Sequence, residues 1–554
     1  MLNLKAKYKK LLLYANTLRY LKLFQIWKRI KNNLFFPKPD LRVAPPVRLI
    51  LGHWETPLRK RISMLSPIKF RFLNHECEIL TPNDWNSKSL PKLWLYNLHY
   101  FDDLNAFQAP IRNNWHRSLI ERWINENPPG FGCGWEPYPT SIRIVNWIKY
   151  KSSRNKTDEL FINSLAVQIR FLSKRLEWHL LGNHLFANAK AMLFGGCYFH
   201  GPEAQSWLRI GISILEKEVP EQILEDGGHF ERSTMYHAII LEDLLDLVNL
   251  AKTYPDAFLP WKSVVESWSS TIEKMGRWMM AMSHPDGEIS FFNDAAIGIA
   301  SSPSALCSYC KQLGVLLNED KSDIVYLVDS GYVRVKIGLA VLIIDVAKIG
   351  PDYLPGHAHA DTLSYELSLS GHRILVNTGT SRYGLGAQRE WERSTAAHNT
   401  VDIDGQSSSE VWAGFRVARR AYPFDVFVRR VGGSIIVEAA HDGYSRLLGQ
   451  PIHRRRWTIE ANQLVVYDRI EGGFSQATSR VYLHPEVNNS CTGSVGQMQH
   501  IDCTILWEST VQDTVIEATA WHPEFGVSVP NTCIKMVVKM SENSTCNKFI
   551  LNWC

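Results

Sequence analysis

Residues 321–345 read KSDIVYLVDSGYVRVKIGLAVLIID, and the chain changes character inside them. From Gly331 onward, β-branched and apolar residues alternate or run together over strand-length stretches. The same texture returns in LSYELSLSGHRILV (363–376), NTVDIDG (399–405), GSIIVEAAHD (433–442), RRRWTIEANQLVVYDRIEG (454–472) and VIEATAWHPEF (515–525). Toward the N-terminus, apolar residues instead recur at helical spacing over 115–125, 141–151, 158–181, 184–199, 204–218, 235–253 and 261–282. Loops such as NPPGFGCGWEPYP (127–139) and EDGGHFER (225–232) separate these segments. Helices first and strands afterwards predict two structural blocks rather than one α/β sheet, the second a β-sandwich. The boundary is expected between Lys321 and Ser330. That gives a basic N-terminal segment (1–45), a helical domain (46–325) and a β domain (326–554).

A chain of 554 residues with 45% hydrophobic and 21% charged residues is globular, with room for two to four domains. The net charge of +6, from 61 basic and 55 acidic residues, is a small excess. It suits an anionic substrate or a membrane surface, and no nucleic-acid signature accompanies it. Nineteen tryptophans are many for this length. They fit either a large helical core or rings that stack on sugars. The ten cysteines are sparse; Cys307 and Cys310 form a C-x-x-C without the second pair a zinc ribbon needs. Free thiols of this kind predict a reducing, cytoplasmic setting. The opening MLNLKAKYKKLLLYANTLRYLKLFQIWKRIKNNLFF carries no signal-peptide pattern, and its purely apolar run, 11–15, is far too short to span a bilayer. Its mixture of Lys/Arg with Leu/Phe/Trp predicts an amphipathic helix. Such a helix could lie on the inner face of a membrane or pack against its own domain.

Four clusters put titratable groups where periodicity does not ask for them. Leu181-Gly-Asn-His184 sits at a helix start, where Asn183 and His184 can face one anionic group, or simply cap the helix. DGGHFERSTMYH (226–237) leads a Gly-rich loop into a helix bearing Tyr236 and His237; Tyr236 is a proton donor or acceptor, or a half-buried core ring. In GHAHAD (356–361) an extended backbone points His357 and His359 to one face, and His398 follows in STAAHNTVDIDG. That set suits zinc, a base beside a ligand, or a solvated histidine cluster. Finally, Trp135-Glu-Pro-Tyr-Pro-Thr-Ser-Ile-Arg143 joins aromatic faces to an arginine able to grip a carboxylate.

In order along the chain, WEPYPTSIRIVNW, LGNH, DGGHFERSTMYH, PDGEISFFND, GHAHADTLSYEL and TAAHNTVDIDG resemble the heparinase II/III family of polysaccharide lyases, over roughly 95–410. The resemblance implies an incomplete (α/α) toroid followed by an antiparallel β-sandwich, and β-elimination at a uronic acid. In that chemistry Asn183, with His184, neutralises the substrate carboxylate. Tyr236 supplies the acid, and His184 or His357 is the alternative base. Trp135, Arg143, His237, Arg382 and Tyr383 are the expected substrate contacts. The family's structural zinc would fall on His359, Asn377 and His398, although Asn377 replaces the usual Asp and a neutral amide is a poorer ligand. The basic N-terminus and SSSEVWAGFRVARRA (407–421) are similar to a subgroup associated with bacterial surface-polysaccharide synthesis. The expected partner is an acidic polysaccharide, not nucleic acid, with peripheral membrane contact through residues 1–45. Two alternatives stand beside the lyase. One is a hydrolase using Glu136, Asp226, Glu231 and Asp294; the other is a non-catalytic glycan-binding factor.

Overall fold

A computed structural model describes residues 2–152, 158–318, 320–501, 503–540 and 545–554. Helices occupy the first part: Asn113–Glu126, Pro137–Ser152, Glu159–Ser173, Gly182–Tyr198, Pro202–Gln222, Thr234–Thr253 and Lys262–Ala281, preceded by Lys92–Tyr100 and closed by Pro303–Gln312. They form the incomplete toroid. One expected helix, 158–181, stops at Ser173. The Asn188 side chain takes the Glu177 N–H at 2.7 Å, and Leu181 turns left-handed at φ 63°. The chain therefore leaves the helix and presents LGNH at the start of the next.

Tryptophan makes the helical core. Trp123 stacks on Trp135 at 5.7 Å and meets Trp147 edge-on at 5.6 Å. Trp85, Trp94, Trp268 and Trp278 are also fully buried. Of the two readings open to the tryptophan-rich composition, these rings take the core one.

The β part begins at Ile324–Leu327 and contains, among the described residues, three large antiparallel sheets and a two-stranded ribbon, Val411–Trp412 with Arg416–Val417. Five consecutive strands, from Ile324–Leu327 to His372–Leu375, make the first. Eight strands, running from Pro423–Val431 to Asn488–Thr492, make the second, and Val401–Ile403 edges a four-stranded third. Burial alternates along Ile452–Glu460 and Gln463–Glu471, as one covered sheet face requires. Val335, Leu342, Val437, Trp457, Val466, Ile534 and Phe549 meet between the sheets. The run AVLIID (340–345) does not alternate because both of its faces are covered. Leu342 enters the sandwich core, whereas Ile343 packs with Trp278 and Phe292 of the helical part. That strand joins the two halves, and a cleft of about 1860 Å³ opens between them.

The N-terminal helices, Leu2–Leu18 and Leu23–Leu34, run along the rim of this cleft. Tyr14 meets Trp412 edge-on at 4.9 Å, Thr17 accepts from Trp412 Nε1 at 3.1 Å, and the Arg420 guanidinium lies 3.7 Å over Tyr20. Residues 407–421 and the basic N-terminus thus pack on one another.

Candidate active site

Gly182 is fixed where it stands. It sits at φ 54°, and a Cβ there would come within 2.4 Å of Leu354 and 3.3 Å of Glu231 Oε1. The helix it opens presents Asn183 and His184 to the cleft. His184 Nδ1 lies 3.1 Å from Glu177 Oε1, and its ring is 4.5 Å from that of Tyr138. Asn188 donates to the other Glu177 oxygen at 3.0 Å, so Glu177 is held from two sides.

Across the cleft, the helix Thr234–Thr253 is capped by Ser233, whose hydroxyl accepts from Tyr236 N at 3.1 Å. This cap places Tyr236 in the first turn, facing the β part. Its Oη lies 3.1 Å from Tyr383 Oη, and its ring stacks on His357 with centroids 3.8 Å apart. Burial, then Tyr383, raises the Tyr236 phenol well above its ordinary value, so it stays protonated.

Asp294 organises the β side. Its Oδ2 is 2.9 Å from His357 Nδ1 and its Oδ1 is 2.8 Å from His359 Nε2. Arg389 donates to both oxygens, the Nη2 to Oδ2 bond measuring 2.7 Å. Burial would raise this carboxyl, but Arg389 and the two histidines hold it well below the usual range. His357 and His359 therefore do share a face, and what that face meets is a carboxylate. Burial lowers the His357 pKa against the pull of Asp294, which keeps the ring neutral. With Nδ1–H donated to Asp294, the Nε2 lone pair is free; it lies 3.8 Å from Glu231 Oε2. Neither Glu231 oxygen has a side-chain hydrogen-bond partner among the described residues, and burial with the nearby Asp294 charge, against the pull of the Asn183 backbone, pushes its pKa up to about 8.

The structure gathers Asn183, His184, Tyr236, His357, Arg382 and Tyr383 around one cleft. Three expected substrate contacts lie elsewhere. Trp135 is 2% exposed and donates to Asn127 O within the tryptophan core. Arg143 is fully buried, spending its donors on Gln168, His99 O and Thr140 while lying 3.9 Å over Trp123. His237 stacks on Trp278 at 4.2 Å, with Nε2 on Met275 O at 3.0 Å. Helical periodicity explains the error: on a helix beginning at Thr234, Tyr236 and His237 point about 100° apart, so one ring reaches the cleft and its neighbour the core. Of the four carboxylates considered for hydrolysis only Glu231 lines the cleft, so no opposed carboxylate pair forms from that set.

His359 Nδ1 and His398 Nε2 face each other at 3.2 Å, close to the edge two ligands of one tetrahedral zinc would make. Burial lowers their pKa values to about 4 and about 3, leaving both rings neutral, as ligands must be. The third position fits less well. Asn377 Oδ1 accepts from Asn399 N at 3.1 Å and brings no charge, and Asp361 is occupied by Asn293 N at 2.8 Å. Two imidazoles fit a metal; the neutral amide makes the set a weak one.

Arg389 escaped sequence reasoning. It lies on the short helix Ala387–Glu392, 95 residues from the carboxylate it neutralises, and only the fold brings the two together. Residues 94–316 match the family model of the heparinase II/III N-terminus, and residues 319–550 match that of the heparinase II/III-like C-terminal region. The chain belongs to the heparinase II/III family. Among curated relatives, a heparin-sulfate lyase of Bacteroides stercoris is 26% identical over 308 residues, covering 49% of this chain and 44% of that one. Another, from Pedobacter heparinus, is 26% identical over 329 residues, covering 51% and 47%. The chain thus aligns with about half the length of these relatives. A crystal structure of heparinase III superposes with a TM-score of 0.68 at 17% identity, over 85% of this chain and 79% of that one. A heparan sulfate lyase mutant from Pedobacter heparinus gives 0.59 at 16% identity, over 96% and 87%. These likenesses establish the shared toroid-and-sandwich fold.

Proposed function

We propose that this heparinase II/III family member is a polysaccharide lyase that cleaves a uronic-acid-containing glycan by β-elimination. The supporting observation is the meeting of Tyr236, Tyr383 and His357 at the wall of a cleft whose other wall is Asn183 and His184. The C5 proton of a uronate becomes acidic when its carboxylate is neutralised. Asn183 and His184 stand at a helix N-terminus, where the backbone dipole adds to that neutralisation. His357 Nε2 takes the C5 proton while Asp294 holds Nδ1–H and stabilises the imidazolium. The C5 electrons form the C4–C5 double bond, the bond from C4 to the glycosidic oxygen breaks, and Tyr236 gives that oxygen its proton. Solvent then takes the proton from His357 and returns one to Tyr236, whose oxygen the Tyr383 hydroxyl holds at 3.1 Å. Incubation with a panel of acidic glycans tests this: products lighter by one water than hydrolysis fragments, with new ultraviolet absorbance from the unsaturated uronate, are expected. Products of hydrolytic mass would overturn it.

The glycan in this reading is a bacterial surface polysaccharide handled at the cytoplasmic face of the membrane. Residues 1–36 hold nine Lys/Arg and no Asp/Glu. Along Leu23–Leu34, one stripe of Leu23, Trp27, Ile30 and Leu34 is 84%, 56%, 54% and 82% exposed. An apolar stripe flanked by cations suits an anionic bilayer surface, where each cation adds about 1 kcal/mol. No helix is long and apolar enough to cross a membrane among the described residues. The ten cysteines are free in the structure, in keeping with a reducing compartment. Co-sedimentation with anionic but not neutral vesicles, lost on Trp27→Glu, is the expected result; equal binding of both proteins would sink the membrane contact. A structural zinc, held weakly by His359, His398 and the Asn377 amide, completes the proposal, and no catalytic step passes through it.

A further inference from the structure

A second histidine cluster lies outside the cleft, and none of its members lines that cavity. It forms where the three β sheets converge. His484 and Glu486 lie on the link from Gln476–Tyr482, in the four-stranded sheet, to Asn488–Thr492, in the eight-stranded one. His500 ends the strand Val495–His500 of the eight-stranded sheet, and His372 opens His372–Leu375 of the five-stranded sheet. The link is pinned to that last strand by His484 N donating to Ile374 O at 2.9 Å.

Glu486 Oε2 stands 3.4 Å from His500 Nε2 and 3.8 Å from His484 Nδ1. One ligand atom from each of the three residues lies within 4.8 Å of the others. The His372 ring sits 4.8 Å from that of His500, and Trp521 backs His484 at 4.8 Å. Ligands bonded to one zinc at 2.0–2.1 Å are about 3.3 Å apart, so small side-chain rotations would close this group on an ion. We propose that His484, Glu486 and His500, with His372 as a further donor, form a divalent transition-metal site that fastens the three sheets together.

The donor set selects the metal. Imidazole nitrogens with a single carboxylate favour zinc and its neighbours over magnesium or calcium, which take mostly oxygen. The His484 Nδ1 lone pair accepts only a long bond, 3.4 Å from Glu486 N, which an ion would replace. The geometry also leaves room for exchange: His500 is 1% exposed, while the Glu486 side chain is 69% exposed. A carboxylate that free to enter solvent nonetheless lies over two imidazoles. The fit of the site owes nothing to the lyase chemistry.

The full chain, stripped with a chelator and titrated with Zn²⁺ alone, tests the site through bound zinc per chain and melting temperature. Wild type is expected to bind zinc and to melt higher when loaded. Glu486→Gln changes an exposed side chain, so the metal-free variant should melt as wild type does. Its zinc affinity at this site should fall roughly tenfold or more, since even residues that merely orient ligands cost 10–100-fold. Zinc held at His359 and His398 would be unaffected by that substitution, which separates the two sites. Identical zinc stoichiometry and affinity in the two proteins, or no zinc bound by either, would overturn the proposal.

Discussion

Tyr236 and His357 lie ring on ring, 3.8 Å between centroids and 27° between planes, one from the helical part and one from the β part. The stack spans the seam between the two halves, so the proposed proton donor and base are aligned only when the halves are docked. Tyr236→Phe keeps the ring, the stack and the buried volume, and removes one hydroxyl with its bond to Tyr383. Stability should change by no more than about 1 kcal/mol. Turnover of a uronate glycan should fall by roughly 10²–10⁴-fold, the usual worth of a positioned acid. Product absorbance beside a melting curve checks both, and full activity in the folded variant would remove Tyr236 from the reaction.

Asp294 and Arg389 carry the β side of the site. Removing Arg389 as Arg389→Leu leaves a buried carboxylate facing two neutral histidines and, at 3.5 Å, the Thr380 hydroxyl. The expected cost is about 3–5 kcal/mol, the range for breaking a buried pair. Denaturant unfolding measures it. A loss below 1 kcal/mol would mean that the histidines alone can hold the charge.

The helix-then-strand order and the four residues that meet at the cleft were legible in the sequence, because periodicity and motif order carry them. Side-chain direction was not. Arg143 and Trp135 sit in a motif that pairs aromatics with an arginine, which is how a carbohydrate contact looks in one dimension. Yet Arg143 lies flat on Trp123, and its three hydrogen bonds are all internal. The histidine pattern was ambiguous for a similar reason. His441, His453, Asp468 and Arg455 form a second chain of the same kind, with His453 3.3 Å from His441 and 2.7 Å from Asp468, and Arg455 on that carboxylate. A His–His–Asp–Arg chain is therefore something this protein builds twice, and spacing does not distinguish a hydrogen-bonded strut from a ligand set.

Trp135→Ala should accordingly act on stability and leave catalysis alone. A buried tryptophan truncated to alanine costs about 3–5 kcal/mol. In the fraction that remains folded, KM for a uronate glycan should match wild type. A raised KM with unchanged melting would return Trp135 to the substrate.

Asn377→Asp should strengthen the proposed zinc set, because a carboxylate would replace an amide as its third ligand. Zinc retained through dialysis against chelator is the measurement, and an increase is expected. Equal retention in both proteins would show that Asn377 lies outside the ligand set.

Glu231 gives stability a pH dependence whose sign is fixed. Its carboxyl has an ordinary pKa of 4.5 and is raised to about 8 in the folded protein, by burial first and Asp294 second. Between those values the folded state keeps a proton that the unfolded state has released. Stability attributable to this group is thus full below about pH 4.5, falls as pH rises, and is lost by about pH 8. Glu231→Gln mimics the protonated form at every pH. Urea unfolding of the two proteins at pH 5 and pH 8.5 should show the variant gaining on wild type at the higher pH, and a constant difference would contradict the shift.

The charge of the cleft bears on which uronate glycan fits. Lys190 pairs with Asp243 at 2.6 Å and also contacts Asp246; Lys149 pairs with Asp246 at 2.5 Å, and Lys60 with Glu242 at 2.5 Å. Arg61 and Lys92, nearer the rim, pair with Glu524 and Glu136. Most cations lining the cavity are therefore already neutralised by this chain's own carboxylates. A densely sulfated glycan would find only Arg29, Lys88, Arg382 and Arg416 outside such pairs among the described lining residues, whereas a uronate beside a neutral sugar needs only the Asn183 and His184 end. Turnover of an unsulfated uronate polymer should exceed that of heparin by roughly tenfold or more in kcat/KM, a difference of about 1.4 kcal/mol. Initial rates on matched sulfated and desulfated substrates measure it. Faster cleavage of the sulfated polymer would mean that the buried lysines exchange their carboxylates for sulfates when substrate binds.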